Sequence, residues 1–194
     1  MRLQLEYSLV ERNIEREHIP AAQELGLGIT PWSPLAGGFL TGKYKQTGDT
    51  GEGEGRLEIA KDAGNPIFHR FTDRNWAILK VLVDVGKQIN RPLAQVALNW
   101  VATQPGITAT IIGASKVSQL EDNLRSLDFE IPAELRQRLN EVSAIELSHP
   151  YGFFTPQFQG WVSGGTGLQP WAPARTYAPP ANEAFGAKAA AAKQ

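Results

Sequence analysis

With 194 residues, 19 basic and 20 acidic side chains and a net charge of −1, the chain is long enough for one substantial core. Its scattered basic residues form neither a nucleic-acid groove nor a polybasic membrane patch, so neither kind of partner is expected. It has no cysteine, which excludes disulfides and thiolate metal sites. Its three histidines, His18, His69 and His149, lack ligand-type spacing.

No apolar run approaches the roughly 20 residues of a membrane span. The first residues alternate in polarity and lack the continuous apolar stretch of a secretory leader, so the expected compartment is the cytoplasm.

In chain order, Leu3, Leu5 and Tyr7 alternate with Gln4, Glu6 and Ser8, which is the period of a strand. Residues 13–25 read as helix stopped by Gly26, with Pro20 in the first turn of its regular part. Residues 27–32 predict a short strand and 33–38 a loop at its C-terminal end. Strand, helix, strand in that order predicts a parallel α/β architecture. Residues 41–66, rich in glycine and charge around Gly51-Glu52-Gly53-Glu54-Gly55, predict a mobile excursion.

Trp76, Leu79, Leu82, Val83, Gly86 and Ile89 then recur at helical spacing behind a cap at Thr72 or Asp73. A second helix follows Pro92, with Leu93, Val96, Ala97, Trp100 and Val101 on one face. Residues 108–113 predict a buried strand. It runs through Ala114 and Ser115 into a helix bearing Val117, Leu120, Leu124 and Leu127. Pro132 opens a last helix with Leu135, Leu139 and Val142 inward. Residues 1–150 are thus expected to form the folded part, and 151–194 an extended, largely disordered tail.

Two places suit a ligand. The small-residue turn Gly113-Ala114-Ser115 precedes a helix, whose N-terminus offers free N–H groups and the positive end of its dipole to a phosphate. The same residues also serve merely to make a turn. Trp32, at the end of a strand, could stack on a flat ring or pack a loop. The amide of Gln4 could hold a carboxamide or make an interior hydrogen bond.

The segments Gln4-x-Glu6-Tyr7-Ser8-Leu9, Glu24-Leu25-Gly26-Leu27-Gly28, Pro31-Trp32-Ser33-Pro34-Leu35-Ala36-Gly37-Gly38 and Leu40-Thr41-Gly42-Lys43-Tyr44 occur in this order. Ala94-Gln95-Val96-Ala97-Leu98-Asn99-Trp100 and Gly113-Ala114-Ser115-x-x-x-Gln119-Leu120-x-x-Asn123 follow them. Over residues 3–151 the chain resembles the aldo-keto reductase superfamily, in the branch that contains potassium-channel β subunits.

The resemblance implies the C-terminal part of a (β/α)8 TIM barrel, strands six to eight with their helices, incomplete and followed by a flexible tail. It implies NADP as cofactor and, for the whole family protein, an aldehyde or ketone substrate. Trp32 matches the position that stacks on nicotinamide, and Gln4 the glutamine that holds its carboxamide. Ser33, Pro34, Leu35, Gly37 and Lys43 match the loop over the pyrophosphate. Gly113, Ser115, Gln119 and Asn123 match contacts to the adenosine and its phosphate. Asp122 stands where the family usually has a glutamate that reaches the adenine amine, and Lys116 is placed to meet a 2′-phosphate as a point charge.

The family's catalytic aspartate, tyrosine, lysine and histidine come from earlier strands and have no matching positions here. Tyr7, Lys43 and Tyr44 belong to other motifs, so no catalytic residue is expected in this chain. Three strands of a closed barrel leave two unpaired edges. The expectation is therefore a fragment that is inactive alone and that associates with itself or with the missing half. The alternative is a non-catalytic nucleotide-binding module like the channel subunits.

Overall fold

The structure, a computed structural model, describes residues 1–47, 50–53, 55–57, 68–146 and 148–166. β1 (Arg2–Leu3) and β2 (Gly28–Ile29) pair in parallel, Leu3 opposite Ile29. The pairing runs on past both strands: Thr30 N–H donates to the Leu3 carbonyl (2.9 Å), Trp32 N–H to Leu5 (2.9 Å) and Tyr7 N–H to Trp32 (3.2 Å). On the other side of β2 lies the 107–111 segment. It is joined by a parallel bridge between Ile29 and Ile107 and by bonds from Thr108 N–H to Ile29 (2.9 Å) and Ile111 N–H to Pro31 (2.8 Å). Three parallel stretches thus stand side by side in chain order, and among the described residues they close no barrel.

α1 (His18–Leu25) connects the first two and ends at Gly26, whose φ of 64° is the left-handed conformation glycine adopts without a Cβ clash. It begins two residues before Pro20, earlier than expected, because His18 and Ile19 already carry helical geometry. α2 (Asp73–Gln88) opens where the Thr72 hydroxyl accepts from Asn75 N–H at 3.2 Å. α3 (Leu93–Ala102) follows Pro92, and α5 (Ala133–Val142) follows Pro132.

One side of the sheet and these helices enclose the core. Leu3, Leu5, Tyr7 and Ile29 meet Ile78, Leu82 and Val85 of α2, Val96, Ala97 and Trp100 of α3, and Leu139 of α5. Burying each large apolar side chain contributes roughly 1.5–3 kcal/mol. Tyr7 packs against Trp100 with ring centroids 5.4 Å apart, and the Trp100 indole N–H donates to Asn140 Oδ1 at 2.8 Å.

Three expectations are corrected. Within 41–66, β3 (Lys45–Thr47) and β4 (Thr50–Glu52) form an antiparallel hairpin, and Leu57 is buried beside Tyr44. The glycines hide this fold in the composition. A Cβ on Gly51 would fall 2.4 Å from the Phe71 ring, so the hairpin needs glycine there to pass under it. Residues 48, 49, 54 and 58–67 of that stretch lie outside the described residues.

The 108–113 run is not buried. Thr108 and Ala109 are exposed, and α4 (Val117–Leu124) turns Val117 (74 % exposed) and Leu124 (54 %) to solvent, as Leu127 (66 %) is beyond it. Helical spacing decides which residues share a face but not whether anything covers that face.

Lastly, Tyr151–Phe154 forms a 3-10 turn and α6 (Pro156–Val162) a helix capped by Thr155, where extended chain is expected. Arg16, donating to Ser148 Oγ (2.9 Å) and the Glu146 carbonyl (2.7 Å), holds the chain just ahead of them, and the Tyr151 hydroxyl donates to Glu17. The expected disorder of 167–194 lies outside the described residues. No described helix is long and apolar enough to cross a membrane.

Candidate functional site

The loop after β2 folds back through an unusual run of left-handed residues: Ser33 (φ 57°), Ala36 (φ 50°), Gly37 (φ 67°) and Gly38 (φ 91°). For the two non-glycines this conformation is strained, and such strain concentrates where a loop must hold one shape. Leu57 covers Gly37, and a Cβ there would sit 2.8 Å from Leu57 Cδ2. Tyr44 links the two strands of chain. Its hydroxyl donates to the Gly37 carbonyl (3.5 Å) and accepts from Leu57 N–H (3.1 Å). This clamp sets Arg56 beside the loop.

The opposite wall is the turn at 111–115 and α4. The Ser115 N–H and hydroxyl both donate to Gln119 Oε1 at 3.0 Å, which pins the turn to the first turn of the helix. Asn123 is buried, whereas Asp122 is mostly exposed and lies 3.7 Å from Arg125. The start of α3, with Pro92, Ala94 and Gln95, closes the third side.

Between these walls, beyond the carboxyl ends of β2 and the 107–111 segment, runs an open groove of 1010 Å³. Of the expected residues, Trp32, Ser33, Pro34, Leu35, Gly37, Lys43, Gly113, Ser115, Gln119, Asp122 and Asn123 all line it.

Gln4 does not, and this departs from the expectation. By register it faces the same side of the sheet as Trp32, opposite Thr30. It is one strand removed from the groove walls, however, and exposed. Lys116 is also outside the lining.

Arg56, Phe68 and Gln95 line the groove without having been singled out as site residues from the sequence. The signals were there: a lone arginine within a glycine–glutamate run, and an amide on an otherwise apolar helix face.

Among the described residues, Lys43 and Arg56 are the cations that line the groove and Asp122 is the acidic side chain, already paired with Arg125, so this lining favours an anionic ligand. Gly113 has open space where a Cβ would stand, which allows close approach to its backbone. Gln95 is 3 % exposed, and its Oε1 meets no hydrogen-bond partner among the described residues. Two cations, an aromatic face, a small-residue turn at a helix start and an orphaned buried acceptor form a donor and acceptor set that fits an extended dinucleotide.

Tyr7 has no place in this chemistry. Its hydroxyl donates to Glu15 at 2.6 Å from within the core, and burial first, then that carboxylate, holds the phenol well above its ordinary pKa.

Parallel strands alternating with helices, with a groove beyond their carboxyl ends, define an α/β protein of the class that binds ligands across that face. Residues 1–144 match the model of the aldo/keto reductase family, and the chain belongs to that family.

It is 37% identical over 139 residues to an uncharacterized oxidoreductase, YrpG, of Bacillus subtilis, covering 72% of this chain and 39% of that protein. It is 33% identical over 148 residues to a probable voltage-gated potassium channel subunit beta of Oryza sativa, covering 76% and 44%. Protein tas of Escherichia coli is 31% identical over 155 residues, covering 77% and 40%. The chain thus spans about two fifths of the length of these curated relatives.

Proposed function

We propose that this chain is the NADP-binding, C-terminal part of an aldo-keto reductase, whose three parallel stretches are the last three strands of a (β/α)8 barrel. The whole protein would reduce an aldehyde or ketone. The observation that carries this reading is the convergence of three segments far apart in sequence, 32–43, 92–95 and 111–123, on one cationic groove.

In this reading, Trp32 offers its ring to the nicotinamide, and Lys43 with Arg56 balances the phosphates. Gly113 admits the ligand to the backbone, while the Ser115–Gln119 bonds hold the turn at the start of α4 in place. Gln4, on the side of the sheet it shares with Trp32, is assigned the carboxamide. When bound, the cofactor supplies a hydride. No catalytic acid is assigned to this chain, so on its own it binds without turning over, as a cytoplasmic protein that needs the remaining strands or a second copy along its open edges.

The test is titration of the purified chain with NADPH, following tryptophan fluorescence, together with absorbance loss in the presence of a reactive aromatic aldehyde. Weak, saturable quenching that is reduced in Lys43→Ala, with no turnover, is the expected result. Absence of saturable quenching overturns the cofactor assignment. Turnover that disappears in Trp32→Ala overturns the claim that the chain lacks catalytic residues.

A second reading is favoured by the similarity to the rice protein: a nucleotide-binding module that regulates a partner and reduces nothing. Its mark would be NADPH binding without carbonyl reduction even when the rest of a barrel is supplied.

A further inference from the structure

Resting on the nucleotide reading above, we infer that Arg70 is a positioning residue of the groove. By gripping Glu6, the sheet neighbour of Trp32, it holds the Phe68 wall in place for the ligand without touching the ligand itself.

The link can be followed residue by residue. Glu6 is bridged in parallel to Trp32, so the two side chains stand on one face of the sheet, and Trp32 lines the groove. The Arg70 guanidinium reaches the Glu6 carboxylate at 2.5 Å and Glu11 at 4.0 Å, with its side chain 9 % exposed. On the backbone, Arg70 N–H donates to the Phe68 carbonyl at 2.9 Å. The Arg70 carbonyl accepts from the Asn75 side-chain amide (3.0 Å) and from Thr72 N–H (3.1 Å). Phe68, two residues before the arginine, lines the groove, and Phe71, one residue after it, stacks on Trp76 with ring centroids 5.8 Å apart. Neither Arg70 nor Glu6 is part of the lining.

A buried ion pair adds little net stability over an apolar pair of the same shape, because both charges lose their water. What it fixes is geometry, since a short charge-assisted hydrogen bond holds its two groups at one distance. Here those groups belong to the sheet beside Trp32 and to the chain next to Phe68, 64 residues apart in sequence. Loss of the grip frees the Phe68 ring to leave the wall, and the groove then keeps its binding shape for only part of the time.

The experiment measures NADPH affinity of the full chain by fluorescence titration. The proteins are the wild type, Glu6→Gln, Arg70→Met, Phe68→Ala and the double variants that join Phe68→Ala to each of the other two, all checked for folding by thermal melt. Glu6→Gln keeps the side-chain shape and serves if Arg70→Met does not fold. With Phe68 present, both substitutions should weaken NADPH binding severalfold, about fivefold if the ring keeps its place for a fifth of the time. With Phe68 already removed, the same substitutions should cost less than about twofold, because they act through that ring. A merely structural role would give losses that multiply.

Unchanged affinity in a folded Glu6→Gln or Arg70→Met variant, or losses that multiply with that of Phe68→Ala, overturns the role of Arg70 while leaving the nucleotide site standing. Phe68→Ala without effect on NADPH does the same. Failure of the wild type to bind NADPH at all overturns the nucleotide reading and this inference with it.

Discussion

The Arg70 guanidinium closes on the Glu6 carboxylate at 2.5 Å, with Glu11 4.0 Å from the same guanidinium, and so ties the segment leading into α2 to the end of the first strand. Burial pushes the Glu6 carboxyl above its ordinary 4.5. The nearby Arg70 charge offsets this only in part, and Glu11 adds to the rise. A raised carboxyl takes up its proton more readily in the folded chain than in the unfolded one. Its contribution to stability is therefore fully present below pH 4.5 and lost as pH rises through the folded value. Urea midpoints measured between pH 4 and pH 7 should show this component in the wild type and not in Glu6→Gln. A Glu6 component of the opposite slope would refute the assignment.

Gly37 and Gly113 should respond oppositely to a side chain. Gly37→Ala combines a left-handed φ with a contact on buried Leu57, and it should lower stability by about 1–3 kcal/mol in chemical denaturation. Gly113→Val meets open space and should change stability by less than about 0.5 kcal/mol. The same substitution should weaken NADPH binding severalfold, because it fills the approach to the backbone.

Arg12 joins three elements. It donates to Glu15 (2.8 Å), to the Asn140 carbonyl (2.8 Å) and to Ser143 Oγ (2.7 Å), with its guanidinium over the Trp100 ring at 5.2 Å. Arg12→Ala leaves Glu15 without its cation and α5 without its anchor, and should cost about 2 kcal/mol. Arg12→Lys should recover little of this, because one ammonium cannot reach all three acceptors. Thermal melts of the two variants against wild type provide the check.

On α4, Leu120→Lys and Leu124→Glu replace exposed apolar groups and should leave the melting temperature unchanged. If this face associates with other chains, the double variant should be more soluble and elute later in size-exclusion chromatography. A melting temperature lowered by several degrees would mean that the face is covered within the chain.

The apolar stripes of α2 and α3 were legible because a helical period marks a face wherever one exists. Leu82, Val96 and Trp100 lie in the core as that period predicts. On α2 the deepest residues include Ile78 and Val85, whereas Trp76 and Val83 are only partly buried, so the true stripe is slightly rotated from the one read in sequence. The groove residues were legible through motifs, and all but Gln4 and Lys116 came together. Arg56 and Gln95 stood out locally, as a lone arginine in a glycine–glutamate run and an amide on an apolar helix face, but which surface each one meets is set by packing from far along the chain.

The sequence by itself determined the order of the three parallel stretches and of α1 to α5, the left-handed stop at Gly26 and the cap at Thr72. These depend on neighbours within a few residues, where backbone sterics and short-range hydrogen bonds dominate. Only the tertiary structure decided that Leu57 folds over Gly37 to carry Arg56 into the groove, and that Gln95 is buried with its oxygen unpartnered. It also decided that the leucines of α4 stay in solvent. Burial and polar satisfaction are set by whatever packs from far along the chain, and no local pattern encodes which surfaces will meet.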